Sequence, residues 1–267
     1  MQAADAAAAL ALRLGARLVL AHSLDERGEI PAHLRPQLRA GREPPLAAEA
    51  ARVRALGADV GERLIEGVPD DGLLALAAGC GARFIVLAAS GSGALGRWML
   101  GSVAENTAES SPLPTLVIRA SLPLVEWARG TRTLRILAGV DFTANSEEAL
   151  RWIAGFREIG PCAITLGFVD VDPGEQEEEA PEEALGAMAR GILGDEPVSV
   201  FVRARSARID AHLLQLAEES RADLIVAGTH QWRGLNRLRH ASVSRRLLRD
   251  AAVSVACIPD TKTERGE

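Results

Sequence analysis

Short apolar runs alternate along this chain with longer stretches in which apolar residues recur at helical spacing. After a helical opening, the runs that predict strands occupy residues 17–22, 60–66, 84–88, 115–119, 134–140, 163–169, 198–204, 224–228 and 253–258. Helices are predicted over residues 69–81, 145–157, 209–220 and about 239–251. Because buried strands that alternate with helices belong to parallel sheets covered on both faces, the pattern predicts an α/β fold.

The order of elements repeats, and part of the repeat is visible residue by residue. Residues 81–118 align without gaps with residues 221–258. Residues 101–103 (Gly-Ser-Val) then fall opposite residues 241–243 (Ala-Ser-Val). An internal repeat of about half the chain predicts two similar domains.

The predicted domains are residues 1–120, the first lobe, and residues 134–260, the second lobe, with a linker at 121–133. The second lobe opens with a strand at 134–140 before its first helix, whereas the first lobe begins directly with that helix. The first lobe therefore lacks its opening strand. Either the sequence starts too late, or the first lobe is a degenerate scaffold.

Composition narrows the classes of function. Of the 267 residues, 48% are hydrophobic and 25% are charged, as in soluble globular proteins. Aromatic residues make up only 3% and tyrosine is absent, which argues against a stacking surface for single-stranded nucleic acid. The net charge of −6 argues against general binding to nucleic acid or to an anionic membrane surface.

The opening residues and the cysteines both predict a cytoplasmic protein. The apolar opening is interrupted by Asp5, Arg13 and Arg17, has no basic first region and is too short to span a bilayer. The three cysteines are far apart and odd in number. We expect them to be small buried hydrophobic residues in a reducing compartment rather than disulfides or metal ligands.

A glycine- and serine-rich stretch, ASGSGALGRWMLGSV at residues 89–103, follows the apolar run 84–88. Backbone N–H groups of such a turn can converge on an anion, because glycine lets the chain approach closely. A helix that begins at Gly101 and Ser102 would add its unpaired N–H groups and its dipole. In the alternative interpretation, Gly91 and its neighbours only turn the chain and Ser102 only caps a helix.

This stretch resembles the loop of the universal stress protein family, which reads Gly-x-x-Gly, nine residues, then Gly-Ser or Gly-Thr. The first lobe supplies Ala88, Gly91 and, after nine residues, Gly101 and Ser102. Three of the four positions match the family pattern.

The second lobe departs further from that loop. It keeps Gly228 and Ser242, but Gln231 replaces the second glycine and an alanine precedes the serine. Asp141 and Thr143, which follow its first strand, resemble the family's Asp-x-Ser at the nucleotide pocket. From the residues alone, three interpretations of Asp141 stay open: it binds ribose, it binds a metal ion, or it ends a strand and caps the helix at 145–157.

The resemblance covers nearly the whole chain and implies the tandem form of the family. It implies two Rossmann-like domains with parallel sheets, related by a pseudo-twofold axis. Their last strands, 115–119 and 254–258, would pair within the chain as a pseudo-dimer, which removes two exposed sheet edges. Whether two such chains also form a homodimer stays an open question. It also implies a cytoplasmic stress-response protein that binds ATP, with or without magnesium, or a similar adenine nucleotide. Such a protein would act through protein partners, with at most slow ATP hydrolysis.

The nucleotide contacts that the resemblance implies fall into two sets. In the first lobe the phosphates would be held by Gly91, Gly101, Ser102 and Val103. In the second lobe a weaker pocket would be lined by Asp141, Thr143, Gly228, Ser242 and Val243, with the backbone near Val169 meeting the adenine.

Two other functions stay open. Because both lobes depart from the family loop, the chain is alternatively an interaction scaffold with vestigial pockets. A serine hydrolase is a remote third hypothesis, with Ser92 as the nucleophile, His212, His230 or His240 as the base and Asp141 or Asp170 orienting it. The glycines after Ser92 would interrupt the helix that a nucleophile elbow needs, and the histidines lack metal-ligand spacing.

Two charged segments have interpretations that do not require a ligand. The region of the second loop is basic and contains Arg233, Arg237, Arg239, Arg245 and Arg246. These arginines either pair with phosphates or lie on a solvated helix face. The acidic stretch 175–183 is expected to be a solvated, partly disordered connection.

Overall fold

A computed structural model of the chain describes residues 2–24, 31–89, 100–169, 181–203, 208–229 and 243–260. Within these ranges the helices are α1 (Gln2–Leu14), α2 (Arg35–Arg54), α3 (Pro69–Gly79), α4 (Ser102–Ser110), α5 (Leu122–Ala128), α6 (Ala144–Ile159), α7 (Pro181–Leu193), α8 (Ile209–Glu219) and α9 (Val243–Asp250). The strands are β1 (Leu18–Ser23), β2 (Val60–Ile65), β3 (Ile85–Ala88), β4 (Thr115–Ile118), β5 (Leu134–Gly139), β6 (Cys162–Val169), β7 (Ser199–Arg203), β8 (Leu224–Thr229) and β9 (Ser254–Pro259).

Seven of these strands form one sheet that runs through both lobes, in the order β3-β4-β9-β8-β5-β6-β7. Neighbouring strands are parallel except at the junction of the two lobes, where β4 and β9 pair antiparallel. There Thr115 lies opposite Cys257 and Val117 opposite Val255, so the predicted pairing of the two last strands within one chain is confirmed. The predicted α/β fold, two Rossmann-like halves with parallel sheets, is confirmed as well.

The two lobes differ in the middle of their sheets. The second lobe has the continuous order β7-β6-β5-β8-β9, in which β5 joins the two sides. In the first lobe β1 pairs with β2 in a separate two-stranded sheet, and β3 pairs with β4. No strand among the described residues lies between β1 and β3, where the repeat predicts the missing opening strand.

The strands of the second lobe are covered by helices on both faces. Ile136 of β5 packs in the core cluster that contains α6 and α7 residues, and Leu137 packs in the cluster that contains α8 and α9 residues. Successive strand side chains point to opposite faces, so a strand buried on both sides needs an unbroken apolar run. This explains why the strands of this lobe are readable in the sequence.

The segment predicted as a linker contains a packed helix, α5. Trp127 of α5 is 1% exposed, and its ring stacks on that of Phe156 in α6 with the centroids 4.9 Å apart. Beyond α5, Arg132 and Arg135 both bind the buried carboxylate of Asp223, with N–O distances of 2.5 and 3.0 Å. Because α5 also contacts α1, this segment holds the two lobes together.

The acidic segment predicted as a solvated connection runs into a helix. α7 begins at Pro181, and two glutamates lie in its first turn, where the helix dipole favours negative charge. Leu185 and Ala189, one turn apart, are buried in the core. The prediction is therefore wrong from residue 181 onwards, and residues 175–180 lie outside the described part of the chain.

Candidate functional site

Three parallel strands of the second lobe end side by side. The strand register places Gly139 of β5 opposite both Gly167 of β6 and Ala227 of β8. Asp141 and Val169 lie two residues beyond the first two of these positions, and the end of β8 lies level with them. The structure thus brings together residues from three separate stretches of sequence, at the edge where open parallel sheets bind ligands.

Asp141 organises the turn between β5 and α6. One of its carboxylate oxygens accepts hydrogen bonds from the Thr143 backbone N–H at 3.0 Å, the Thr143 hydroxyl at 2.5 Å and the Ser146 hydroxyl at 2.7 Å. Thr143 is the residue that precedes the first turn of α6. Asp141 and Thr143 are both exposed at this edge. Asp141 therefore shapes the start of α6 and also presents its carboxylate to solvent.

Gly228 is required by the packing of β8 on α6. A Cβ atom at this position would lie 2.8 Å from the Cβ of Asn145 and 3.3 Å from its backbone carbonyl atoms. The Asn145 side-chain amide also donates a hydrogen bond to the Thr229 carbonyl oxygen at 3.4 Å. The close approach of the two backbones thus explains this glycine without any ligand.

Gly101 in the first lobe has no such explanation. It precedes the first turn of α4, with φ −72° and ψ 142°, a conformation open to any residue. Its backbone N–H donates to the Ala89 carbonyl oxygen at 2.7 Å, and a Cβ atom would meet that oxygen at an ordinary 3.7 Å. The described fold therefore does not require glycine here.

Ser102 and Val103 open α4. Ser102 is exposed and is the first helical residue, Gly101 occupies the cap position, and no side-chain capping hydrogen bond is formed. The alternative that Ser102 caps the helix is therefore wrong. The N–H groups of the first turn have no acceptor within the helix, and the chain just before them is tied to the end of β3 by the hydrogen bond from the Gly101 N–H to the Ala89 carbonyl oxygen.

Much of both predicted loops lies outside the described residues. The loop residues outside the described part of the chain are Gly91, Ser92, His230, Gln231, Arg233, Arg237, Arg239, His240, Ala241 and Ser242. Asp170, which follows β6, lies outside it as well. Val243, which belongs to the predicted second-lobe set, is described and begins α9, the helix after the second loop.

The arginines of α9 bind carboxylates on neighbouring helices. Arg245 forms an ion pair with Glu109 of α4, and its Nε lies 3.6 Å from a carboxylate oxygen of Glu105. Arg249 binds Glu105 at 2.6 Å. Sequence reasoning missed both glutamates, and for Arg245 neither the phosphate nor the solvated-face interpretation holds.

Arg246 is held within the second lobe by Asp210 of α8. The carboxylate of Asp210 is 2% exposed and binds Arg246 at 3.0 Å and Arg208 at 3.2 Å. Burial raises the pKa of Asp210, but the hydrogen bonds from the two arginines outweigh it, so the pKa lies below its ordinary value. Arg246 is therefore engaged in an ion pair beside the second loop.

The cysteines are free thiols in different surroundings. Cys80 is exposed, so the expectation that all three are buried is wrong for this residue. Burial raises the pKa of Cys162 to about 11 and that of Cys257 to about 12. In the described ranges no three His, Cys, Asp or Glu side chains are grouped to hold a metal ion, and no helix there is long and apolar enough to cross a membrane.

The sequence model of the universal stress protein family matches the chain twice, over residues 1–119 and 133–259. The chain belongs to the universal stress protein family. The two matches correspond to the tandem form that the internal repeat predicts.

Curated relatives are similar to this chain in sequence, and one solved structure shares the fold of nearly the whole chain. Universal stress proteins of Mycobacterium tuberculosis and Mycobacterium bovis are each 31% identical over 189 residues, a match that covers 65% of this chain. The same match spans 61% of the length of each of those curated relatives. The crystal structure of a universal stress protein from Archaeoglobus fulgidus covers 97% of this chain and 93% of its own, at 18% identity and a TM-score of 0.73. A second Archaeoglobus fulgidus universal stress protein, solved with dAMP, covers 47% of this chain and 97% of its own, at 21% identity and a TM-score of 0.34.

Proposed function

We propose that this universal stress protein binds ATP or a related adenine nucleotide and acts in the cytoplasm, in stress response, through protein partners. Its domains would be residues 1–120 and 134–260, with 121–133 between them. The nucleotide would serve as a bound ligand, with at most slow hydrolysis.

The position of Asp141, Val169 and Gly228 supports this proposal most. They stand at the carboxyl edge of three adjacent parallel strands, β5, β6 and β8. An exposed carboxylate at that edge can accept hydrogen bonds from the hydroxyls of a ribose. The backbone at Val169, the last residue of β6, can offer its amide groups to the adenine edge.

The start of α4 supports phosphate binding in the first lobe. The N–H groups of Ser102 and Val103 lie in the first helical turn, where backbone donors and the helix dipole favour an anion. Gly101 leaves space in front of this turn, since no part of the described fold fills the position of its missing side chain. The residues present thus fit a phosphate group, and magnesium would arrive bound to it.

The first experiment asks whether the purified protein carries a nucleotide. Freshly purified protein is denatured and the released small molecules are identified by liquid chromatography and mass spectrometry, followed by calorimetric titration of emptied protein with ATP and magnesium. About one equivalent of adenine nucleotide per chain supports a single working pocket. No released nucleotide together with no heat of ATP binding overturns the proposal.

Two variants then locate the pocket. Gly101→Trp fills the space before α4 and is expected to abolish binding if the first lobe is the site, whereas Gly155→Trp, on the open face of α6, is the matched control. Asp141→Asn keeps an oxygen that accepts the bonds from Thr143 and Ser146 but removes the charge. We expect about five- to tenfold weaker ATP binding for Asp141→Asn if the second lobe is the site, because charge-assisted hydrogen bonds are roughly twice as strong as neutral ones.

One observation favours the alternative of an interaction scaffold. The first lobe has no strand between β1 and β3 in the described residues, so its candidate phosphate site has no counterpart of Asp141. If neither lobe binds ATP while the protein remains folded, the scaffold function replaces nucleotide binding.

A further inference from the structure

An open groove lies where α5 packs against α1, beside the end of α2. Its walls come from one side of α1, from the last turn of α2 with the residue at 56, and from α5 with the residues on either side of it. Its volume is about 520 Å³, within the roughly 300–1,000 Å³ of sites that bind small molecules. Twelve described residues line it, fewer than the roughly 20–30 a side of a stable protein interface. The size of the groove therefore fits a small molecule.

Three leucines give the groove an apolar wall that remains accessible to water. Leu12 in the last turn of α1, Leu56 just beyond α2 and Leu122 at the start of α5 are 48%, 42% and 62% exposed. Val125 and Ala128 continue this wall along α5. Single exposed leucines are common on protein surfaces, but several that line one groove form a patch of the kind that marks a binding site.

Two arginines of the groove lack a carboxylate partner. The side chain of Arg129, directly after α5, makes no hydrogen bond or ion pair with any residue in the described part of the chain. Arg13 donates from Nε to the carbonyl oxygen of Ile159 at 3.0 Å, which holds its guanidinium in place without neutralising the charge. A donor that is already fixed loses less entropy when a ligand binds.

The third arginine of the groove is already neutralised. Arg52 binds Asp5 at 2.7 Å and Glu49 at 2.7 Å. Asp5 is the one acidic side chain among the described residues that line the groove. The groove is therefore net positive in a chain whose net charge is −6. An anionic ligand is the complement of this charge.

We infer that this groove binds a small anionic amphiphile. Arg13 and Arg129 bind its head group, and its apolar chain packs on Leu12, Leu56 and Leu122. Carboxylate and phosphate heads both match the donors of a guanidinium, so the ligand class is either of these heads on an apolar chain. Burial of the three leucines by that chain supplies the apolar part of the binding energy.

The groove is separate from the candidate nucleotide edge. Arg13 lies in the last turn of α1 and contacts the last residue of α6, and these two helices lead into the amino ends of β1 and β6. Asp141 and Val169 lie at the opposite, carboxyl ends of β5 and β6. None of the predicted nucleotide contacts that the structure describes lines the groove. The inference therefore stands or falls independently of nucleotide binding.

Calorimetric titration of the full chain with four probes tests the inference. Decanoate and decyl phosphate, each below its micelle concentration, carry the two anionic heads on one chain. Decanol has the same chain without the charge, and inorganic phosphate has the charge without the chain. We expect about one equivalent of either amphiphilic anion per chain, with decanol and inorganic phosphate at least about tenfold weaker. The tighter of the two anions identifies the head group.

Three results of this titration overturn the inference. Decanol that binds as tightly as decanoate removes the role of the arginines, and inorganic phosphate that does so removes the role of the apolar wall. Absence of binding by both amphiphilic anions, or uptake of several equivalents at equal affinity, shows that the groove is not a specific site.

Two exposed positions of the groove locate the bound anion without disturbing the fold. Arg129→Gln is expected to weaken decanoate binding about five- to tenfold and to leave ATP affinity unchanged. Arg83→Gln, at another exposed arginine without an ion pair in the described residues, is the matched control. Leu122→Gln is expected to weaken binding about fivefold or more, because the chain loses its most exposed apolar contact. Leu34→Gln, at an exposed leucine outside the groove, is its control.

The variants give two further ways to refute the inference. Decanoate affinity that Arg129→Gln and Leu122→Gln leave at the level of their controls places the anion elsewhere. Loss of ATP binding in Arg129→Gln would make the groove part of the nucleotide site and would overturn a separate ligand. Failure of the protein to bind ATP at all leaves the decanoate measurements, and hence the inference, unaffected.

Discussion

Arg245 of α9 and Glu109 of α4 form a two-pronged ion pair that joins the helices following the two candidate nucleotide loops. The second prong, from Nη2 of the arginine to the other carboxylate oxygen, measures 2.5 Å. Both side chains are largely withdrawn from solvent, with 27% and 12% of their surfaces exposed. The pair therefore fixes the start of α9 against the end of α4.

The internal repeat explains why these charges meet. At the offset of 140 residues, Glu105 of α4 matches Arg245 of α9, and Glu109 matches Arg249. A pseudo-twofold axis brings each loop helix against its own counterpart, so equal charges at matched positions would repel. Opposite charges turn the same contact into attraction, and Arg249 accordingly binds Glu105 at 2.6 Å.

Reversing one charge in this contact is expected to destabilise the protein. Glu109→Arg places like charges against Arg245, at an expected cost of about 1–2 kcal/mol in the free energy of unfolding, more than the loss of an exposed pair. Adding Arg245→Glu restores the opposite arrangement and should recover most of that loss. Urea unfolding of the single and double variants measures both effects.

A surface pair provides the control for this cycle. Glu147→Arg faces Arg151 on the exposed side of α6, where the change should cost about 0.5 kcal/mol or less. A double variant no more stable than Glu109→Arg alone would mean that the contact between α4 and α9 is not governed by these charges.

The fold could be predicted where burial leaves a mark in the sequence. β5 and β8 are buried on both faces and appear as unbroken apolar runs, and the resemblance to the family, with the repeat, implied the pairing of β4 with β9. The helix α5 was not predicted, because it is only seven residues long and its main contact is the stacking of Trp127 on α6, which is distant in the sequence. α2 escaped as well, because only two of its residues are buried.

The candidate site could be predicted only in outline. The positions of Asp141 and Gly228 follow from strand ends, and the contacts of Asp141 are local, but the contact of Gly228 depends on a residue that only the fold brings near. The clash that a side chain at Gly228 would make with Asn145 involves residues more than 80 positions apart. The charge complementarity of α4 and α9 was readable in principle, from opposite charges at matched positions of the repeat.

The carboxylate of Asp210 should make stability depend on pH. Its pKa is lower in the folded protein than the ordinary 3.8, so its contribution is fully present above that value and is lost as the pH falls through the folded pKa. Asp210→Asn is expected to cost about 1.5–3 kcal/mol at pH 7, because two arginines lose their charged partner. The difference between the two proteins should shrink below about pH 3.8 in urea unfolding. The exposed Asp71→Asn serves as a control, and a difference for Asp210→Asn that does not change with pH would contradict the assignment.

The three thiols should react in two classes. At pH 8 an aromatic disulfide reagent is expected to modify one thiol per chain quickly, at the exposed Cys80. Cys162 and Cys257, whose pKa values burial raises to about 11 and about 12, should react only after unfolding in urea. Cys80→Ala should remove the fast phase. Fast reaction of two thiols in the folded protein would show that one of the other sites opens readily.

Two glycine-to-alanine variants should separate folding from ligand binding. Gly228→Ala pushes a methyl group into the backbone of Asn145 and is expected to lower the free energy of unfolding by about 1–3 kcal/mol. Gly101→Ala meets only the Ala89 carbonyl oxygen at 3.7 Å and should leave stability unchanged within about 0.5 kcal/mol. If a phosphate sits before α4, the same variant should weaken ATP binding, because the methyl group occupies the space left by the glycine. Urea unfolding gives the free energy of unfolding of each variant, and calorimetric titration gives its affinity for ATP. A Gly101→Ala protein that binds ATP as tightly as the original would place the phosphate elsewhere.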